Sequence, residues 1–249
     1  MSADPNAFQI SYRLPPDTYL EEREYARFDS YARRVQYLPH TIEDLGARAI
    51  FLQLATLRPF HSSFPNLRRI YLQVNDQYEW PHALVLPSLQ HIIFCDRAGV
   101  QQGDKFIRCL TVRAPLLRTI SLSGDMPWST LPFIAQFQEL TCLDLINCTI
   151  CPDAGPSTAL RYHDFFHNLA AKPNLARLRL PKNLRAELFS ECVGFPSLAE
   201  LDMYEPPTAV TAFLRMLSPG TLRKAKLLPC FERGYLGDKS VFPVGHWLD

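Results

Sequence analysis

Glycine is scarce in this chain, 10 residues of 249. No GxGxxG, no GxxxxGK followed by Ser or Thr, and no GxSxG string occurs. The common phosphate-cradling loops and the serine elbow of hydrolases therefore have no signature here. An excess of one charge is also missing. Lys and Arg number 26 against 25 Asp and Glu, a formal net charge of +1. Phosphate-backbone binding needs clustered positive charge, so a polybasic nucleic-acid binder is excluded as the default. An acidic disordered tail is excluded by the same balance. No apolar run nears the roughly 20 residues that a membrane helix requires. Residues 1–10 (MSADPNAFQI) lack a basic stretch followed by an apolar one, so no secretory signal is expected. The 7 cysteines are odd in number and irregular in spacing. They read as reduced thiols of a cytoplasmic or nuclear protein.

Proline, by contrast, is plentiful at 21 residues, and it is periodic. One pattern recurs: Pro, any residue, Leu, two residues, Leu or Ile, one residue, an apolar residue. It appears as FPNLRRIYL (64–72), LPSLQHIIF (86–94), APLLRTISL (114–122), KPNLARLRL (172–180) and FPSLAELDM (195–203). FQELTCLDL (137–145) carries Gln138 in the proline place, and SPGTLRKAKL (218–227) is a degenerate last copy. The anchors Leu67, Leu89, Leu117, Leu140, Leu175, Leu198 and Leu222 are 22, 28, 23, 35, 23 and 24 residues apart. This is the leucine-rich-repeat pattern. Its next position is Asn75, Cys148 and Asn183 in three copies, a residue that turns inward to satisfy backbone groups of a neighbouring coil.

The expected fold is α/β: a leucine-rich-repeat solenoid, or horseshoe. Short parallel strands line its concave face, helices its convex face, and a helical cap covers its N-terminus. Helical spacing is read in 105–114, 130–137, 158–171, 184–192 and 209–217. Each proline is expected to stop the preceding helix. Two helices, 19–38 and 41–57, are expected ahead of the repeats, the first opened by a capping box of Thr18 and Glu21. The organisation is thus 1–60 cap, 61–228 solenoid of about seven repeats, and 229–249 tail or second cap, with a long loop near 152–157.

Period-2 alternation sends the leucines inward and the intervening residues outward. The outward set is Arg69, Tyr71, Gln73, His91, Ile93, Thr119, Ser121, Cys142, Asp144, Arg177, Arg179, Glu200, Asp202, Tyr204, Lys224 and Lys226. Of these, Arg69, Tyr71, Gln73, His91, Asp144, Arg177, Arg179, Glu200, Asp202 and Tyr204 are the candidate partner-binding residues. Mixed charge signs in adjacent repeats suit a protein partner better than nucleic acid. The competing reading is a merely solvated strand face. CTIC (148–151) has the spacing of half a zinc site, but no second CxxC exists and Cys148 is accounted for by the repeat. His163 and His167 stand at i, i+4 without the HExxH form. No catalytic residue, metal or cofactor is assigned, and the chain reads as a non-enzyme.

RFDSYARRVQYL (27–38), LRP (57–59) and the Pro-started repeats together make the chain resemble fungal F-box proteins with degenerate leucine-rich repeats. The resemblance spans about residues 25–228. It implies the substrate-receptor subunit of a Skp–cullin–F-box ubiquitin ligase: a protein substrate on the concave face, a Skp-type adaptor as second partner, no nucleic acid and no membrane. An F-box is not evident. The one string that fits its opening, LPPDTYL (14–20), runs straight into the YARRV helix. The alternative is a leucine-rich-repeat scaffold with no ubiquitin-ligase role.

Overall fold

The computed structural model describes residues 22–38, 64–74, 85–96, 100–151, 158–182, 184, 189 and 194–228. The expected helix 41–57, the residues Asn75 and Asn183, the loop 152–157 and the tail 229–249 lie outside the described residues. So does most of 184–192.

The pieces form one open sheet of eight parallel strands in strict sequence order. In chain order they are helix α1 (Glu22–Ala32), β1 (Tyr37–Leu38), β2 (Arg69–Val74), β3 (His91–Asp96), α2 (Val100–Arg113), β4 (Thr119–Pro127) and α3 (Leu131–Ile134). Then come β5 (Cys142–Cys151), α4 (Thr158–Ala170), β6 (Arg177–Arg179), β7 (Glu200–Met203), α5 (Pro207–Arg215) and β8 (Lys224–Leu227). Where the intervening chain is described, each parallel crossover returns through a helix, as parallel pairing requires.

Four of the repeats open in the same way. The proline sits second in a β-turn, where its fixed φ is already correct. The turn closes from Leu67 N–H to Phe64 O (3.1 Å), Leu89 to Leu86 (3.1 Å), Leu117 to Ala114 (3.2 Å) and Leu198 to Phe195 (3.3 Å). Side chains at the third turn position reach back to the previous repeat. Asn66 Nδ2 donates to Arg33 O at 2.7 Å and Ser88 Oγ to Leu67 O at 2.9 Å. One carbonyl then accepts two successive N–H groups of the next repeat. Gln36 O accepts from Arg68 and Arg69 at 2.9 and 3.0 Å, and Arg68 O from Gln90 and His91 at 2.8 and 2.9 Å. The same step recurs at every junction through Ala199 O, which takes Arg223 and Lys224.

That step begins one repeat earlier than the sequence pattern indicates. Val35 N–H closes a turn on Ala32 O at 3.2 Å, and Tyr37–Leu38 pairs with Arg69–Ile70. The helix expected over 19–38 therefore ends at Ala32, and the last part of the RFDSYARRVQYL string (27–38) is turn and strand. β1 falls inside the range that the sequence assigns to the cap. The reason is local: Ala32, Val35 and Leu38 repeat the spacing of Ala114, Leu117 and Ile120, without the proline.

The core is the inward column of every strand. Ile70, Ile92, Ile120, Leu143, Leu178 and Leu201 are wholly buried, as are the turn anchors Leu67, Leu89, Leu117, Leu140, Leu175 and Leu198. Helical stripes close over them: Phe106, Ile107 and Leu110 of α2, Phe165, Phe166 and Leu169 of α4, and Ala209 and Phe213 of α5. Among the described residues no helix is long and apolar enough to cross a membrane.

Candidate functional site: the outward rows of the sheet

Parallel register stacks equivalent residues of successive repeats into rows whose successive members are about 4.8 Å apart. One outward row runs Tyr37, Arg69, His91, Thr119, Cys142, Arg177, Glu200 and Lys224. A second runs Tyr71, Ile93, Ser121, Asp144, Arg179, Asp202 and Lys226. The sequence expectation that these side chains share a face is met, with β1 contributing Tyr37 as an unforeseen member.

The rows are chemically unlike at their two ends. From β5 onward the charges pair with one another. Arg179 Nη1 donates to Asp144 Oδ2 at 2.7 Å, and its Nε donates to Asp202 Oδ2 at 2.8 Å. One guanidinium thus ties β5, β6 and β7, with all three side chains about one-third exposed or less. Arg177 Nε meets Glu200 Oε2 at 2.6 Å. That hydrogen bond, with the charges of Arg177 and Lys224, holds the Glu200 carboxyl below the ordinary carboxylate range. Lys226 and Lys182 stand 5.8 and 5.9 Å from the centroid of the Tyr204 ring. Much of the outward charge in this half is internal structure rather than offered to a partner.

Asp144 has a second task. Its Oδ1 accepts the Ile146 N–H at 3.1 Å, at the point where β5 gains one residue over β4. Ser121 faces Asp144, but Ser123 faces Asn147. The carboxylate thus ties down a bulge that the repeat pattern does not announce.

The N-terminal half is different. Arg69 lies over the Tyr37 ring, 5.9 Å from its centroid, and no ion pair of Arg69 or Arg118 occurs among the described residues. Burial first, and then the charges of Arg69 and Arg118, push the His91 imidazole below its ordinary value. Ile93 is 38% exposed, unusual for an aliphatic strand residue. Gln73 departs from its expected role. It is only 9% exposed and is not offered to a partner. Alternation fixes the face a side chain leaves from, not what the surrounding chain covers.

The other candidates are placed as follows. Cys148 is buried, and burial raises its thiol far above the usual range. Cys142 is raised as well, by burial first. Neither is a ready thiolate. His167 is on the exposed side of α4; the side chain of His163 lies outside the described residues. No group of three or more His, Cys, Asp or Glu that could hold a metal occurs among the described residues.

The ladder makes a direct prediction. Arg179→Met leaves Asp144 and Asp202 facing each other with no cation between them. A loss of about 2 kcal/mol is expected, the cost of stripping the partner from part-buried carboxylates. Adding Asp202→Asn to that variant should recover part of it. Urea unfolding of the two variants checks this, and equal stability of both would remove the ladder from the account.

Searches of family models and of curated proteins find no match to this chain.

Proposed function

We propose that the chain is a leucine-rich-repeat horseshoe that binds a protein partner on the outward, concave face of its sheet and performs no chemistry of its own. The observation that carries this reading is the stack of eight parallel strands in strict sequence order. It lays outward side chains in rows that a partner can span. The resemblance to F-box proteins with leucine-rich repeats makes the partner a ubiquitin-ligase substrate, in the cytoplasm or nucleus. Catalysis there is by proximity to an enzyme on other subunits. A Skp-type adaptor is then the second partner.

One observation favours the alternative, a scaffold without a ligase role. Residues 33–38, expected as the end of the first helix ahead of the repeats, are turn and strand of the first repeat. They are engaged in the sheet.

The test uses the purified full chain with a photo-crosslinking amino acid at Ser121, on the outward face, or at Val112, an exposed position on α2. A protein crosslinked from Ser121 but not from Val112 is expected. Crosslinking from Val112 alone would refute the reading. Co-elution with a Skp-type adaptor separates ligase receptor from scaffold.

A further inference from the structure

We propose that the binding part of the outward face is its N-terminal half, β2 to β4, and that it takes an acidic protein segment carrying an apolar residue beside its carboxylates. This rests on the concave-face reading above and narrows it.

Charge accounting over the face is the first support. Beyond β5 the three carboxylates of the rows are taken up by Arg177 and Arg179 through Arg177–Glu200 and Asp144–Arg179–Asp202, and the two further cations, Lys224 and Lys226, stand next to Glu200 and Asp202 in register. On β2 to β4 the rows hold Arg69 and His91, with Arg118 one residue before Thr119, and no carboxylate. Asp96 closes β3 but is buried. Asp125 is exposed yet lies six residues along β4 from Thr119, about 20 Å away. Two guanidinium groups that bear on one imidazole, with no ion pair of their own among the described residues, make a cationic patch built into the sheet. The missing counter-charge is what a partner supplies.

Geometry gives the second feature. Ile93 is two residues beyond His91 on the same face, about 7 Å along the strand. Among the described residues of the two outward rows it is the exposed aliphatic side chain. An arriving segment can place a carboxylate against the arginines and an apolar side chain on Ile93. Arginine and aromatic residues such as Tyr37 beside it are the types that dominate binding hot spots. Nucleic acid is the competing anion, but the aliphatic contact and the small patch favour a peptide.

The probe is a fluorescein-labelled peptide, EDELFEDE, titrated with the full chain by fluorescence anisotropy. Saturable binding that weakens with salt is expected. Arg69→Glu and Arg118→Glu should each weaken it about tenfold. Lys224→Glu changes net charge equally at the far end of the same row and should leave binding within about twofold. Thermal melts confirm that each variant is folded. An equal loss with Lys224→Glu, a Kd above about 1 mM, or tighter competing binding by a 15-nucleotide oligothymidylate would overturn the proposal. The two readings fail separately. If Ser121 crosslinks a partner segment that carries no acidic residues, the concave-face function stands and this inference falls. If Ser121 crosslinks nothing, the function falls with it.

Discussion

Gly124→Ala should destabilise the protein by about 4 kcal/mol, and Gly103→Ala, against the same neighbour, should not. Gly124 sits in β4 at φ +104°, a conformation that L side chains rarely adopt. A Cβ built there falls 1.9 Å from the Asp96 carbonyl oxygen and 2.9 Å from its carbon. Those atoms are backbone of the adjacent strand, so no rotamer change can clear them. The strain of the left-handed backbone costs about 1–3 kcal/mol. Forcing the strands apart costs about as much again. That is a large share of the roughly 5–15 kcal/mol of a typical domain.

The other glycines separate the two terms. Gly103 lies inside α2, has no unusual φ, and its Cβ would stop 3.4 Å from Asp96 Oδ2, near ordinary contact. Alanine there gains helix propensity of up to about 1 kcal/mol. Gly220 has φ +84° but nothing within 4 Å, so alanine meets strain without a clash. Its loss should be about 1–2 kcal/mol. Thermal and urea unfolding of the three variants gives the ranking. A Gly124→Ala loss no greater than that of Gly220→Ala would mean that β3 and β4 are not held at this spacing.

The Gly124 contact is not readable from the sequence, whereas the charge ladder of β5 to β7 is. Asp144, Arg179 and Asp202 each stand four residues after a repeat anchor, Leu140, Leu175 and Leu198. Equal offsets in a parallel stack become neighbours, so the ladder is implied by spacing alone. In the sequence the alternating signs suggest charges offered to a partner. Distance decides otherwise, because arginines on adjacent strands reach carboxylates 4.8 Å away before any partner arrives. β1 is hidden in the sequence because its turn has Arg33 where five of the other repeats have proline, the feature that makes the repeats visible. The wide 35-residue interval between Leu140 and Leu175 was legible as a length but not as a structure. Much of it is ordered: β5 runs ten residues to Cys151, and α4 has thirteen. An extra residue in β5 breaks the period-2 count after Asp144, so alternation fails there and Asn147 turns outward.

Phe213→Ala should cost about 3–5 kcal/mol and should melt one end of the sheet rather than the whole. Phe213 is wholly buried on α5. Its ring stands 5.2 Å from Phe189 at 89° and 5.3 Å from Phe195 at 45°. Phe189 continues to Phe166 at 4.9 Å, and Phe166 to Phe165 at 5.0 Å. These rings join α4 to α5 beneath the last strands. Phe195 also carries φ +57°, an uncommon value for a bulky residue, and the packing of its own buried ring offsets that strain. Truncating Phe213 removes a neighbour from both rings and leaves the strain less opposed. In a stack where each repeat contacts only its neighbours, damage stays local when the remaining repeats are stable without it. Hydrogen exchange should therefore show lost protection in Glu200–Met203 and Lys224–Leu227, while His91–Asp96 and Thr119–Pro127 keep theirs. Leu143→Ala, in the middle of the sheet and equally buried, is the counter-case: its loss weakens the junctions on both sides. If Phe213→Ala exposed all strands together, the sheet would be one cooperative unit. The acidic-segment patch on β2 to β4 would then depend on the far end for its stability. If only the end opens, the patch survives in Phe213→Ala, and the peptide should bind that variant as it binds the parent.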